Sequence, residues 1–391
     1  FAQGDYVSGD FYGGAAEQSL VCKLFADLSE QPLFEFMSPQ KVDLSDHTTL
    51  RPRARLAAQA FAALAHNGRQ LFIDAIDPVG TLNPAVYEEL GAVTGQTRPY
   101  EAFLEPDARR LADAAVYFNF ESMIDPRDNG KPIAELGAGA APLSRDLSAL
   151  AGTLREGHIA FRVFTPKNLE ELDSVRLLVL PELLMLDERE AEALRGYVRR
   201  GGRLVVTGAT GLLNKEGVRQ PDFLLADLLG VSWRGETAES VTFLAPTPEG
   251  APLLAPFSVR YPLTIKGRQM VVTIRPGARV LATTALPYGD PQDPVRFGSA
   301  NGNPPGRLTD NPALVLNEAG RGRVLYLAGG LERMPHDAHR TIFRRLLEAL
   351  DPGPPLVRAE APAPVEFLVF DQPARKRLLI SVFNGQDAVP P

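Results

Sequence analysis

Cysteine is nearly absent from this 391-residue chain, since Cys22 is its only one. A single cysteine excludes an intrachain disulfide framework and a metal cluster built on paired cysteines. Long apolar runs are also missing. The stretch from Val175 to Leu186 is interrupted by Arg176 and Pro181 and falls short of the roughly 20 residues that a membrane helix needs. The sequence therefore predicts no bound metal, no cofactor and no membrane partner.

A strongly basic segment is missing as well. The formal net charge is −7, from 41 basic and 48 acidic residues that are interspersed along the chain. Without a basic stripe to neutralise phosphates, we expect no nucleic-acid partner. With 45% hydrophobic and 23% charged residues, the composition is typical of a soluble protein with two or three cores. A cytoplasmic protein and an exported bacterial protein without disulfides both fit.

The residues that are present predict an α/β protein, beginning with a segment of βα units over residues 1–111. Candidate strands run from Leu33 to Met37 and from Leu71 to Ile76. Between them, Arg53 to His66 is rich in alanine with apolar residues at helical spacing, and Asn67-Gly68 supplies a stop. Strand, helix and strand in this order predict one right-handed crossover unit of a parallel sheet.

A second α/β domain is predicted over residues 112–352. Asp187 to Arg200 has acidic residues in its first turn, basic residues in its last turn and Gly201-Gly202 after it, so the helix signals agree. Buried strands separated by helices predict an open, doubly wound parallel sheet. The candidate elements around this helix are the strands Ala114–Phe120, Ala160–Phe164, Val175–Leu180 and Arg203–Thr207 and the helix Ser144–Glu156.

The segments after residue 240 do not show the alternation of strand and helix. Residues 240–312 are β-rich and include a Pro/Gly/Asn-rich loop from Pro287 to Pro312, and His336 to Leu350 is a closing helix. Residues 353–391 are predicted to form a proline-rich linker and then a hairpin from Val365 to Asn384. Because two strands cannot hold a core alone, we expect this hairpin to begin a small β-sandwich or to pack on its neighbour.

Carboxylates within or at the ends of two apolar strands are the first candidate site. Glu35 lies within LFEFM, and Asp74 and Asp77 end the strand LFIDAIDP. A carboxylate is costly to bury, so it either faces a polar cleft or is paired. A retaining glycosidase needs two such groups about 5 to 5.5 Å apart at the carboxyl ends of barrel strands. The structural alternative is an ion pair with a nearby arginine, namely Arg51, Arg53 or Arg55.

The stretches PLFEFMSPQ, AHNG and FIDAIDPVGTLNPAVYEELG resemble the end of the catalytic barrel in family 42 β-galactosidases and in related hydrolases named as fucosidases. The resemblance implies a (β/α)8 barrel with Glu35 as the nucleophile. It also implies that Asp74 and Asp77 shape the sugar site, with His66 of AHNG beside them. Phe36 and Tyr87 are candidates for stacking on a sugar face, although core packing is the commoner fate of aromatic residues.

The second domain resembles the β-galactosidase trimerisation domain over some 120 residues, most strongly from Leu177 to Thr207. That resemblance implies a fold like the class I glutamine amidotransferases and assembly into a homotrimer. An amidotransferase would need a cysteine at a strand-to-helix elbow. The turns at Thr207-Gly208-Ala209 and Pro181-Glu182-Leu183 offer none. We therefore expect a structural domain.

Most of the expected barrel is missing from the sequence. A complete barrel takes about 250 residues, and residues 1–111 hold only its last units. The chain begins at Phe1 without a methionine, so we expect that its true N-terminus was removed, processed or left out. The family's acid/base glutamate follows an asparagine, and the only such pair, Asn317-Glu318, lies at a predicted hairpin turn.

The sequence thus predicts a β-galactosidase-like glycosidase that retains the anomeric configuration of a carbohydrate substrate, present here without its acid/base and inactive alone. A non-catalytic oligomerisation module is the alternative. An amidotransferase or dinucleotide enzyme fails on the absent cysteine and the absent glycine fingerprint. The close pair His336 and His339 has no carboxylate motif beside it, which favours capping or solvated roles over zinc binding.

Overall fold

The computed structural model describes residues 7–11, 13–28, 33–42, 46, 48–74, 78–123, 142–289, 295 and 302–386. The chain folds into two compact units, each built from segments that are distant in sequence. Unit 1 comprises Phe1–Asp113, Leu154–Asn168 and Pro355–Pro391, and unit 2 comprises Ala114–Thr153 and Leu169–Pro354.

The early part of unit 1 alternates strands and helices, as the sequence predicts. The predicted helix from Arg53 to His66 is confirmed, because its Ala-rich segment is helical to Ala65 and His66 caps it. The elements are β1 (Ser8–Asp10), α1 (Ala15–Leu28), β2 (Glu35–Pro39), α2 (Arg53–Ala65), β3 (Arg69–Ile73), α3 (Pro84–Thr97) and β4 (Arg109–Leu111).

Three parallel strands in the order β1-β2-β3 form the first sheet of unit 1. Phe36 packs with Cys22 of α1 and Ala63 of α2, and Phe72 packs against residues of α2 and α3. Because side chains alternate along a strand, Glu35 and Met37 of β2 and Leu71 of β3 point to the other face. Leu71 is 37% exposed. In the described part of the chain, this sheet is covered by helices on one face only.

The elements that follow Asp113 contain most of the strands. The predicted helix before Gly201-Gly202 is confirmed, with Asp187 and Glu190 forming a capping box at its start. The elements are β5 (Ala114–Tyr117), α4 (Pro142–Glu156), β6 (Phe161–Phe164), β7 (Leu177–Leu180), α5 (Glu188–Arg200), β8 (Arg203–Thr207), α6 (Ala226–Leu229), β9 (Val231–Glu236), β10 (Val241–Pro246), α7 (Ala251–Leu254), β11 (Leu263–Lys266), β12 (Met270–Ile274), β13 (Arg279–Pro287), β14 (Pro305–Ala319), β15 (Gly322–Leu327) and α8 (Asp337–Leu350).

Eight strands of unit 2 are neighbours in one mixed sheet, in the order β11-β10-β13-β14-β15-β8-β7-β5. The four strands β15, β8, β7 and β5 are parallel, whereas β11, β10, β13 and β14 pair in antiparallel fashion. Strands β9 and β12 form a separate antiparallel pair. The α/β class is therefore confirmed, but the sheet is mixed rather than purely parallel.

The end of the predicted loop and the predicted turn at Asn317-Glu318 are both wrong. Residues from Pro305 onward already belong to β14, and the hairpin turn lies at Gly320-Arg321, where Gly320 has φ 63°. The Asn317 side chain instead donates hydrogen bonds to the carbonyls of Asp227 and Leu228, at 3.1 and 2.9 Å. Asn317 is therefore a strand residue whose side chain binds the end of α6.

Two further strands, β16 (Val365–Gln372) and β17 (Arg377–Asn384), confirm the predicted C-terminal hairpin. In unit 1, β16 also pairs with β4, which gives a three-stranded antiparallel sheet in the order β17-β16-β4. The hairpin is thereby joined to a strand that lies more than 250 residues earlier in the chain.

Candidate functional site

Glu35, the predicted nucleophile, is the first residue of β2. Its Oε1 accepts a hydrogen bond from Ser8 Oγ at 2.9 Å, and its neighbours across the sheet are Ser8 and Arg69. Asp74 follows the last residue of β3, whose register partner is Pro39 at the other end of β2. Four residues of strand, about 13 Å, therefore separate Glu35 from the edge where Asp74 lies.

The carboxyl edge of the parallel sheet carries a buried ion pair. Lys41 Nζ lies 3.2 Å from Asp74 Oδ1, and the two side chains are 8% and 9% exposed. Gln40 Nε2 donates to the same carboxylate oxygen. Gln40 Oε1 is buried and has no hydrogen-bond partner among the described residues. Asp74 is therefore paired with a lysine, a partner that the sequence pattern did not predict.

Polar side chains continue from this edge toward the helices. Gln70 Nε2 donates to Ser38 Oγ at 2.8 Å, and Ser38 Oγ lies 3.4 Å from Gln59 Oε1. Gln18 Nε2 donates to the Gln59 carbonyl at 2.8 Å. The signal for this group was the polar run Ser-Pro-Gln-Lys at the end of an apolar strand. Ligands commonly bind at the carboxyl ends of parallel strands, where polar residues of this kind are expected. Here these side chains mainly form hydrogen bonds with one another.

Phe36 and His66 lie in the core of unit 1, since neither has measurable exposed surface. His66 Nδ1 lies 2.7 Å from the Ala62 carbonyl, and its Nε2 lies 3.3 Å from Lys23 Nζ. An ammonium group can only donate, so Nε2 accepts and Nδ1 carries the proton. Burial, with Lys23 beside it, lowers the pKa of His66 to about 3. The histidine is therefore neutral and directed inward.

Lys23 is the centre of a buried charged cluster that also contains His66, Ser19 and Glu366. Lys23 Nζ donates to Ser19 Oγ at 2.6 Å and forms a closer ion pair with Glu366 Oε1. Burial alone would raise the pKa of Glu366, but Lys23, His66 and the Ser19 hydroxyl bring it to about 2. All three ammonium protons have acceptors, so the cluster joins α1 and the end of α2 to β16.

The other predicted residues do not meet at one point. Tyr87 is exposed on α3, and Asp77 lies outside the described residues. Arg53, one of the three arginines considered as partners, pairs instead with Glu89 through two contacts of 2.6 Å. In unit 1, the structure therefore brings Asp74 together with Lys41 and Gln40, and it leaves Glu35 at the opposite edge of the sheet.

In unit 2, the turns predicted to lack a nucleophile form a closed polar cluster. Thr207 is fully buried, and its Oγ1 donates to Glu332 Oε1 at 2.5 Å and accepts from the Glu182 N–H at 3.0 Å. Glu182 Oε2 pairs with Arg333 Nη1 at 2.8 Å. The sole cysteine is in unit 1, where burial raises the pKa of its thiol. This cluster offers no thiolate and no accessible hydroxyl for covalent catalysis.

A second buried cluster surrounds Glu190 at the start of α5. Its carboxylate accepts from the Tyr117 hydroxyl at 2.8 Å and from Asn119 Nδ2 at 3.1 Å, and Lys215 Nζ lies 2.7 Å away. The Asp187 N–H donates to the same side chain at 3.0 Å. Burial and the nearby carboxylate raise the pKa of Tyr117. With four partners for one carboxylate, this cluster is typical of structural support.

Comparison with protein families matches a segment that lies mostly in unit 2. Residues 112–237 match the β-galactosidase trimerisation domain. The predicted resemblance to family 42 is confirmed for this domain. No curated protein matches the sequence of the chain.

Solved structures extend the similarity to nearly the whole chain. An α-L-fucosidase isoenzyme 2 from Paenibacillus thiaminolyticus matches with a TM-score of 0.74 and 17% identity, covering 97% of this chain and 54% of that one. A β-galactosidase from Rahnella sp. R3 matches with a TM-score of 0.68 and 22% identity, covering 94% and 53%. A GH42 β-galactosidase from G. stearothermophilus matches with a TM-score of 0.68 and 17% identity, covering 94% of this chain and 52% of that one. The chain shares their fold and spans about half their length.

The structure was also searched for metal-binding groups and membrane-spanning helices. Among the described residues, no group of three His, Cys, Asp or Glu side chains is arranged to hold a metal ion. Within the same residues, no helix has the length and apolar character of a membrane span.

Proposed function

We propose that this chain is the C-terminal part of a β-galactosidase-like retaining glycoside hydrolase that cleaves O-glycosidic bonds of a carbohydrate. The observation that carries the proposal is the three-stranded parallel sheet with helices on one face only. Parallel sheets are normally covered on both faces, and a closed barrel achieves this by curling the sheet around its own inner side chains. Residues 1–111 would then be the last units of a (β/α)8 barrel, with Glu35, Met37 and Leu71 facing its interior.

Unit 2 supports the same proposal as an assembly domain. Its match to the trimerisation domain implies a homotrimer, and a fold like the class I glutamine amidotransferases explains the parallel strands β5, β7, β8 and β15. The closed cluster around Thr207 supports a structural task for this domain rather than an amidotransferase reaction.

The proposed chemistry assigns Glu35 as nucleophile and Asp74, Asp77 and Tyr87 to the sugar site, whereas Phe36 and His66, predicted for the same site, support it from the helix side of the sheet. A retaining mechanism needs a second carboxylate as acid/base, and we place that group outside these residues. One carboxylate alone cannot run both steps. The 391-residue chain is therefore expected to hydrolyse aryl glycosides no faster than the background.

A non-catalytic oligomerisation module is the second candidate, and three observations favour it. Glu35 lies at the amino end of β2, whereas barrel enzymes act at the carboxyl ends of their strands. Asp74 is bound by Lys41 and Gln40. Phe36 and His66 are fully buried and cannot touch a sugar without rearrangement.

The deciding experiment compares the protein encoded by the complete gene with its Glu35→Gln and Glu17→Gln variants on aryl β-galactosides and α-L-fucosides. The enzyme proposal expects turnover that Glu35→Gln abolishes and that the control on α1 leaves unchanged. Turnover that survives Glu35→Gln would remove Glu35 from the mechanism. A protein without turnover on any aryl glycoside that sediments as a trimer of its chain would establish the module instead.

A further inference from the structure

Unit 2 contains a positively charged cavity of about 440 Å³ at the amino ends of its parallel strands. Three of its arginines belong to these strand ends, since Arg176 precedes β7, Arg203 begins β8 and Arg321 precedes β15. Arg200, the last residue of α5, is the fourth. The charged residues of the lining are Arg176, Arg200, Arg203, Arg321, Asp173 and Asp351.

Two of the four guanidinium groups are neutralised by the two aspartates. Arg176 Nε lies 3.2 Å from Asp351 Oδ2. Arg200 binds Asp173 through two contacts of 2.7 and 3.1 Å. Within the described part of the chain, Arg203 and Arg321 have no carboxylate at ion-pair distance. The cavity therefore holds two uncompensated positive charges.

The partial negative charge at the C-terminus of α5 offsets only part of this positive charge. Arg203 Nη1 donates to the Gly201 carbonyl at 2.7 Å and to the Arg321 carbonyl at 3.3 Å. A helix C-terminus carries about half a negative elementary charge, which leaves more than one positive charge in the cavity. Arg203 Nε is buried, and no acceptor for it exists among the described residues. This donor is therefore available to an anion that enters the cavity.

We propose that this cavity binds a small dianion of the phosphate or sulfate type, free or carried on a sugar. Guanidinium groups present paired N–H donors that match tetrahedral oxyanions, and two unpaired guanidiniums balance a double negative charge. Arg321 is exposed, so its side chain can turn toward a ligand while Arg203 remains fixed by the helix end. This site is distinct from the proposed sugar site in unit 1 and does not depend on the proposed function.

The test is calorimetric titration of the 391-residue protein with inorganic phosphate, sulfate and a hexose 6-phosphate, against chloride at matched ionic strength. The variants are Arg321→Gln and Arg203→Lys, and the control is Arg199→Gln. Arg199 lies beside Arg200 in the last turn of the same helix but does not line the cavity. The control thus makes the same charge change as Arg321→Gln.

We expect dianions to bind the wild type and Arg199→Gln alike, and Arg321→Gln to raise the Kd by about tenfold or more. Arg203→Lys keeps the positive charge but loses the paired N–H donors of the guanidinium group. It is expected to weaken binding while the fold is retained. A tighter Kd for the hexose 6-phosphate would identify a phosphorylated sugar, and equal values would identify the free anion. Binding no stronger than that of chloride, or an equal loss in Arg199→Gln, would overturn the proposal.

Discussion

The two parallel arrangements of strands in this protein are buried in different ways. In unit 2, every residue of β5 and β7 is buried, and so are four of the five residues of β8. In unit 1, β3 has no buried residue, and two of the five residues of β2 are only partly buried. Both faces of the central strands of unit 2 are buried, whereas helices cover only one face of the parallel sheet in unit 1 among the described residues.

The ion pairs of unit 1 include several with both partners buried. Unit 1 buries the pairs Lys23–Glu366 and Lys41–Asp74, and Asp27 is paired with Arg110 in its interior. Unit 2 has the buried carboxylate of Glu190, paired with Lys215, and several pairs at its surface, such as Arg268–Glu236. A buried pair contributes little net stability but costs much when one partner is lost, so the Lys23–Glu366 pair of unit 1 is sensitive to a single charge change. The sole Cys22 in unit 1 and the sole Trp233 in unit 2 allow each unit to be followed separately.

The largest effect is expected from Glu366→Leu, which leaves the Lys23 ammonium buried without its carboxylate. The free energy of unfolding of unit 1 should fall by about 3–5 kcal/mol. Labelling of the Cys22 thiol at increasing urea concentration measures this, while Trp233 fluorescence follows unit 2.

The matched control for this variant is Glu89→Leu, which breaks the exposed pair with Arg53 and should shift the midpoint little. The double variant Lys23→Met/Glu366→Leu should recover most of the loss. An unchanged labelling midpoint in Glu366→Leu would show that the buried cluster is not what holds β16.

The next largest effect compares the two sheets directly. Leu178→Ala in β7 removes a fully buried side chain and should cost about 2–5 kcal/mol in the unfolding of unit 2, measured by Trp233 fluorescence in urea. Leu71→Ala in β3 should cost less than about 1 kcal/mol by Cys22 labelling. An equal cost for the two variants would mean that the open face of the unit 1 sheet is covered in solution.

A smaller, pH-dependent effect is expected from His66. Its pKa is about 3 in the folded protein and 6.5 ordinarily, so only the unfolded chain binds a proton as the pH falls from 6.5 toward 3. The free energy of unfolding should then fall by about 1.4 kcal/mol per pH unit in that window. Glu366, with its pKa lowered from 4.5 to about 2, adds to the loss below pH 4.5.

Urea unfolding followed by circular dichroism between pH 6.5 and 4.5 measures this slope. His66→Gln keeps an acceptor for Lys23 but cannot titrate, so its slope should be shallower than that of the wild type. Equal slopes in the two proteins would exclude His66 as the titrating group.

The smallest effect concerns the helix starts. Asp187→Ala removes the capping box of α5 in unit 2 and should cost about 1 kcal/mol. Asn83→Ala removes the single cap of α3, where Asn83 Oδ1 accepts from the Ala85 N–H at 3.1 Å, and should cost less. Trp233 fluorescence and Cys22 labelling, respectively, report the two losses. A larger loss for Asn83 would show that α3 holds more of its unit together than its surface position indicates.

Local patterns in the sequence determined the elements of both units. The alternation of helix and strand, the position of α5 between its acidic start and Gly201-Gly202, and the C-terminal hairpin were all predictable, because periodicity and capping act over a few residues. The resemblance to the trimerisation domain also rests on contiguous residues, so it could be identified without knowledge of the fold.

Only the tertiary structure decided which side chains share a site. The resemblance to family 42 implied that Glu35, Asp74 and His66 share one sugar site. The strand register sets Glu35 and Asp74 at opposite ends of the sheet, and His66 turns inward to Lys23. Lys23 finds its carboxylate in Glu366, more than 340 residues away along the chain. No local pattern encodes such a partner, because a buried charge is matched by whichever element the fold packs against it.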